Sequence, residues 1–138
     1  MSSKENLMTP KWEMKYETGI FEIDLQHKNF LALIKKVELI ETGILKQMTI
    51  DDVLEEIIFY ARFHFRSEEN LMKEFNYPEL AQHTEKHKLL SNNLLQEVSN
   101  LMVHPDDIAH LHHYLINWLL DHILEEDKKL SSHLKNVI

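Results

Sequence analysis

Four stretches of this sequence carry apolar residues at helical spacing, and only three breaks separate them. The first runs Phe30, Leu31, Ile34, Val37, the i, i+3, i+4, i+7 stripe of an amphipathic helix. Glu38 follows on that face, and its charge predicts that the stripe weakens there. The second stripe is Ile50, Val53, Leu54, Ile57, Ala61; the third is Leu80, Leu90, Leu94, Val98, Leu101; the fourth is Ile108, Leu111, Leu115, Leu119. The breaks fall at Thr42-Gly43, Asn76-Tyr77-Pro78 and His104-Pro105-Asp106. With two glycines and three prolines in 138 residues, the chain has too few turns for an all-β fold. Asp24, Thr49 and Asp106 are the expected N-caps, with Asp51 and Asp52 suiting the dipole of the second helix and Pro78 the first turn of the third.

Short connections between four such helices predict an all-α, up-down-up-down antiparallel four-helix bundle. Residues 12–23 mix aromatic and apolar residues without a period and read as an extended arm across one end. Residues 1–11 are polar and read as mobile, and a short polar helix is expected from Asp127 to about Asn136. The length fits one domain spanning residues 1–138.

The same stripes carry residues that do not belong in an apolar core. His64 and Glu68 continue the second stripe, His83 and His87 lie on the third, and His122 ends the fourth. His27 opens the first. Each i, i+4 pair shares one helix face. His27 lies fifteen residues before Thr42, and His64 fourteen after Ile50; His87 lies seventeen before His104, and His122 seventeen after Pro105. At about 1.5 Å of rise per residue, alternating helices return these positions to nearly one level. A buried carboxylate without a counter-charge costs several kcal/mol, and divalent cations remove that cost. Imidazoles and carboxylates together suit a pair of borderline transition metals in a bundle core. The second carboxylate is open on spacing alone. Glu126 is at i+4 from His122, while Asp127 at i+5 is rotated by about 140° on an ideal helix. His104, His110, His112, His113 and His133 fall in a break, a tight cluster or the tail, and read as surface residues.

What the composition excludes narrows the function. No cysteine is present, which removes disulfides, zinc–thiolate sites, cysteine-ligated iron–sulfur clusters and thiol catalysis. A net charge of −8 argues against nucleic acid or anionic membranes as partners. No apolar run approaches a membrane span and no leader pattern is visible, so a cytoplasmic location is expected. No histidine has a glutamate three residues before it, which argues against a ferritin-like di-iron oxidase. No His-Glu dipeptide exists for a thermolysin-type zinc protease.

From Trp12 to about Leu130 the sequence resembles the hemerythrins, oxygen-binding proteins with a non-haem di-iron centre in a four-helix bundle. The resemblance rests on Ile23-Asp24-Leu-Gln-His27-Lys28, on His64-Phe65-Arg-Ser-Glu68-Glu69-Asn-Leu-Met72, and on Tyr77-Pro78 followed by His83-Thr-Glu-Lys-His87. It is completed by Trp118-Leu119-Leu-Asp-His122-Ile123-Leu-Glu-Glu-Asp127. The family pattern puts an aspartate five residues after its last histidine, which selects Asp127.

The resemblance implies that His83, His87 and His122 bind one iron and His27 and His64 the other. Glu68 and Asp127 would bridge them together with an oxo or hydroxo group. The second iron then keeps an open place, where dioxygen would bind reversibly. Leu119 would line that place, with Ile123, Phe30 and Phe65 beside it, keeping it dry. Asp24 and Glu69 are expected to hold histidine N–H groups, and Trp118 to pack away from the irons. The expected role is oxygen storage, transport or delivery to a protein partner. Its rivals are a di-iron sensor of oxygen, redox state or nitric oxide, and an iron buffer.

Overall fold

A computed structural model describes residues 8–137. Five α-helices follow a 3₁₀ turn at Met14–Tyr16: α1 (Phe21–Glu41), α2 (Ile50–Glu74), α3 (Leu80–Val103), α4 (Ile108–Asn117) and α5 (Leu124–Leu134). A π-helical segment, Trp118–Ile123, joins α4 to α5 without a break, so the two form the fourth rod of a four-helix bundle. No strand occurs among the described residues. Neighbouring rods pack in a closed ring, α1 on α2, α2 on α3, α3 on α4 and α4 on α1. No helix is long and apolar enough to cross a membrane.

The helix ends follow local chemistry. The Thr49 hydroxyl accepts from the Asp52 backbone N–H at 3.1 Å and starts α2. Gly43 ends α1 at φ +81°. The Ile44 N–H then reaches Leu39 O at 2.9 Å and the Gly43 N–H reaches Ile40 O at 3.1 Å, a Schellman stop. Asn76, at φ +52°, closes α2 in the same way, with Tyr77 N–H on Met72 O at 2.9 Å.

Several boundaries differ from the sequence reading. α1 begins at Phe21 rather than Asp24, because Asp24 serves the preceding turn. Its carboxylate accepts from the Thr18 N–H and hydroxyl, both at 2.8 Å, and from the Gly19 N–H at 3.1 Å. Asp107 rather than Asp106 precedes α4, and the C-terminal helix begins at Leu124 rather than Asp127. Of the arm expected to be mobile, residues 1–7 lie outside the described residues. Thr9 is buried and tied to the bundle: its N–H donates to Glu38 Oε1 at 2.6 Å and its hydroxyl pairs with His112 Nε2 at 2.8 Å. His112 is therefore a core residue rather than a surface one, since it lies on the buried face of α4 with Leu111, Leu115 and Ile116.

Two apolar clusters divide the core. The larger contains Phe30, Ile34, Val53, Ile57, Ala61, Phe65, Leu90, Leu94, Leu115, Trp118, Leu119 and Ile123. The smaller contains Ile23, Met72, Tyr77, Leu130 and Leu134. Each rod runs from one cluster to the other, and buried polar residues stand between them on each. His27 falls between Ile23 and Phe30; His64 and Glu68 fall between Ala61 and Met72; His83 and His87 fall between Tyr77 and Leu90; Asp127 falls between Ile123 and Leu130. The fold thus holds one polar layer between two dry ones.

Candidate metal centre

Six of the seven residues singled out from the sequence meet in that layer, all buried. They form two overlapping groups, His27, His64, Glu68 and Asp127, and Glu68, His83, His87 and Asp127, with the donor atoms of each group within 4.8 Å of one another. Every imidazole turns Nε2 inward. On one side His27 Nε2 lies 2.6 Å and His64 Nε2 2.8 Å from Asp127 Oδ2, and His64 Nε2 lies 3.3 Å from Glu68 Oε2. On the other side His83 Nε2 lies 3.2 Å and His87 Nε2 3.0 Å from Glu68 Oε1, and His83 Nε2 lies 3.5 Å from Asp127 Oδ1. Each carboxylate therefore turns one oxygen to each histidine pair, which is the arrangement of a bridging ligand between two cations.

The outer ring nitrogens are held from behind. His64 Nδ1 bonds Gln26 Oε1, and His87 Nδ1 bonds Glu69 Oε2 at 2.8 Å. Such contacts fix which nitrogen faces inward and raise its basicity as a ligand. Glu69 is where the sequence reading put it; Asp24 is not, being held by Thr18 and Gly19. Gln26 was given no role from the sequence. It is buried on α1 and its amide donates to Ser67 Oγ at 3.1 Å. Its place directly before His27 was the available signal, but nothing in the pattern of α1 predicted that it would serve His64 on α2.

Electrostatics mark the layer as incomplete on its own. Burial would lower the pKa of His64, yet Glu68 and Asp127 overcome this and raise it to about 10. Burial acts the same way on His83, and hydrogen bonds and charge from Asp127 and Glu68 raise it to about 9. Burial would raise Asp127, but His64 and the surrounding hydrogen bonds take it well below the ordinary carboxylate value. Even so, Glu68 Oε2 and His27 Nδ1 are buried without a hydrogen-bond partner. Buried polar atoms are nearly always satisfied, so a buried carboxylate oxygen without a hydrogen bond, 3.3 Å from His64 Nε2 and beside convergent imidazoles, suits a cation. Imidazole and carboxylate oxygen donors suit iron among the first-row metals.

His122 lies apart from the other six. It is exposed, belongs to neither group, and lines a surface cavity with Trp118, Asp121 and Glu126. The reason is helical phase. Residues five apart share a face only across a π-helical turn, which closes i→i+5 hydrogen bonds. The π segment, Trp118–Ile123, overlaps the interval from His122 to Asp127 only at His122 and Ile123, and Leu124–Asp127 is α-helical. That interval is then mostly α-helical, and Asp127 takes the inward direction.

The apolar residues expected around the centre are buried. Phe30 stands edge-on to His64 with ring centroids 5.5 Å apart, and Phe65 stacks on His87 at 4.3 Å. Leu119 and Ile123 belong to the larger apolar cluster beside them. Trp118 is buried too. Its indole N–H donates to Leu90 O at 3.0 Å, and its ring packs edge-on against Phe30 at 5.6 Å.

Comparison with known proteins agrees with this centre. The family model described as "Hemerythrin HHE cation binding domain" matches residues 18–134. A bacteriohemerythrin of Stenotrophomonas maltophilia is 26% identical, covering 90% of this chain and 80% of the relative. One of Clostridium acetobutylicum is 28% identical, covering 86% and 95% respectively. One of Pseudomonas aeruginosa is 29% identical, covering 84% and 75%.

Proposed function

The chain belongs to the hemerythrin family, and from that premise we propose that it binds dioxygen reversibly at a non-haem di-iron centre, as an oxygen store or carrier rather than an enzyme. One observation supports this above the others: Glu68 and Asp127 each present one oxygen to either histidine pair, so the residues are arranged for two metals and not one. Two irons held by these residues would supply reversible two-electron chemistry toward dioxygen. The chain's own residues do the rest. Gln26 and Glu69 orient His64 and His87, while Phe30, Phe65, Leu119 and Ile123 keep water and anions from the centre.

His27 and His64 are assigned to one iron and His83 and His87 to the other. His122 is assigned to the second of these on its spacing from Asp127. His122→Ala separates that assignment from the exposed position described above. Loss of iron from the variant supports ligation, and an unchanged iron content leaves His122 on the surface. The protein acts as one domain in the cytoplasm, and a protein partner receives its oxygen.

The deciding experiment pairs metal analysis with the visible spectrum through an oxygen–argon–oxygen cycle of the reduced protein. Two irons per chain and a charge-transfer band that appears, bleaches and returns are expected. A one-way change to a stable oxidised spectrum would replace the carrier reading with a redox sensor. No iron, or a single zinc, would leave only the fold.

A further inference from the structure

Arginine occurs only at positions 62 and 66, against thirteen lysines. Both arginines lie on α2, one turn apart, and both line a groove of about 470 Å³ between α2 and α3. Lys88, Thr84, Ser91 and Asn92 line it from α3. Two like charges one turn apart are unfavourable on a helix without a counter-charge. Yet among the described residues every ion pair that a lysine or arginine makes with a carboxylate belongs to a lysine. The one acid lining the groove, Glu69, accepts from His87 Nδ1 at 2.8 Å and is engaged there. A positive groove on a chain of net charge −8 runs against the rest of the molecule.

The guanidinium fork fits paired anionic oxygens better than an ammonium does, and it holds carboxylate or phosphate in two parallel hydrogen bonds. Thr84, Ser91 and Asn92 add neutral donors, and the volume falls in the small-molecule range. We propose that the groove of Arg62, Arg66 and Lys88 binds a small polyanion, a phosphate ester or a dicarboxylate, against the outer side of the metal centre. The two arginines clamp the anionic oxygens, and Lys88, which pairs with Glu85 at 3.2 Å, borders the groove from α3. Glu69 and His87 form its floor, with Phe65 stacked on His87 at 4.3 Å, so the anion rests against the hydrogen bond that orients His87. The clamp residues Arg62, Arg66 and Lys88 are distinct from those assigned to oxygen binding, while the floor shares Phe65, Glu69 and His87 with that centre.

Because both arginines of the chain are in this groove, arginine-selective chemistry reads it alone. The metal-loaded wild-type protein is treated with phenylglyoxal, and modification at positions 62 and 66 is followed by peptide mass spectrometry. Succinate, AMP and sulfate are the probes, each against chloride at equal ionic strength. Saturable protection of both arginines, slowing modification at least fivefold, is expected. Protection by AMP but not succinate assigns a phosphate ester, and the reverse assigns a dicarboxylate. Protection by sulfate alone means an adventitious ion only and overturns the proposal, as does a rate no slower than in chloride. Calorimetry adds an independent reading. Arg62→Ala/Arg66→Ala should weaken the protecting anion at least tenfold, whereas Lys73→Ala/Lys129→Ala should leave it unchanged; equal affinity in all three proteins overturns the site. Neither readout uses the metals, so failure of the di-iron reading would not be mistaken for failure of this one.

Discussion

The bundle buries two clusters that pair histidine with carboxylate, one toward each end, and they are built on opposite terms. At the far end, Glu38 accepts from the Thr9 N–H at 2.6 Å and from Lys35 Nζ at 2.7 Å, and His112 pairs with the Thr9 hydroxyl at 2.8 Å. None of these groups is among the buried atoms left without a partner. In the metal layer, four imidazoles and two carboxylates converge, with no lysine or arginine among the ion pairs that link them, and Glu68 Oε2 and His27 Nδ1 are orphaned. The same residue types therefore do two jobs. A cluster that satisfies its own hydrogen bonds serves the fold, whereas one that converges ring nitrogens and carboxylates and leaves a carboxylate oxygen without a hydrogen bond is built for a cation.

Metals should separate the two clusters most sharply. Chelation is expected to remove at least about 4 kcal/mol of linked stability, which for a chain of this size lowers Tm by about 10 °C or more. His64→Ala or Glu68→Ala should abolish stoichiometric iron and reproduce the low Tm without a chelator. Calorimetry with metal analysis checks both. A chelated protein as stable as the loaded one would erase the distinction.

The alkaline limb of the pH profile comes next. In the metal-free protein His64 and His83 keep their protons up to about 10 and about 9, above the ordinary value of 6.5. The stability they contribute is complete below pH 6.5 and is lost as pH rises through those values. Metal-bound imidazoles carry no such proton, so the loaded protein should lack this limb. The far cluster titrates the other way. Burial first, with Lys35 and His113, holds His112 below its ordinary value against the pull of Glu38. Protonating His112 opposes the fold, and the arm contact at Thr9 should weaken as pH falls below 6.5. Melting curves of the metal-free protein from pH 5 to 10 measure both limbs.

A smaller effect is expected from His112→Ala, which strands the Thr9 hydroxyl and costs about 1–3 kcal/mol. Iron content should not change. Coupled loss of iron would mean that the two clusters are not independent. The smallest effect on stoichiometry belongs to Leu119→Ala, which should leave both irons in place and speed autoxidation of the oxygenated form several-fold. An unchanged rate makes Leu119 core packing alone.

Residues that act within one helix were legible in the sequence, and those that depend on a distant partner were not. Thr49, Gly43 and the i, i+4 pairs of α2 and α3 follow from local spacing, and five of the six inward residues stood on readable stripes, while Asp127 was reached only through the family resemblance. Thr9 meets His112 across 103 residues and Gln26 meets His64 across 38, contacts that no local pattern carries. Glu38 read as the end of a stripe because its charge was counted without Lys35 and Thr9 to answer it. His122 is a different case. It lies exposed within the π-helical segment Trp118–Ile123, and spacing alone does not show where such a segment falls.

The ligand order has a consequence for biosynthesis. His27 and Asp127 stand 100 residues apart, and Asp127 belongs to both groups. A chain emerging from the ribosome cannot complete either metal set until α5 is free, however early α1 to α3 have packed. Neither set is complete until Asp127 has been synthesised, and a chain cut short before it lacks a member of both groups.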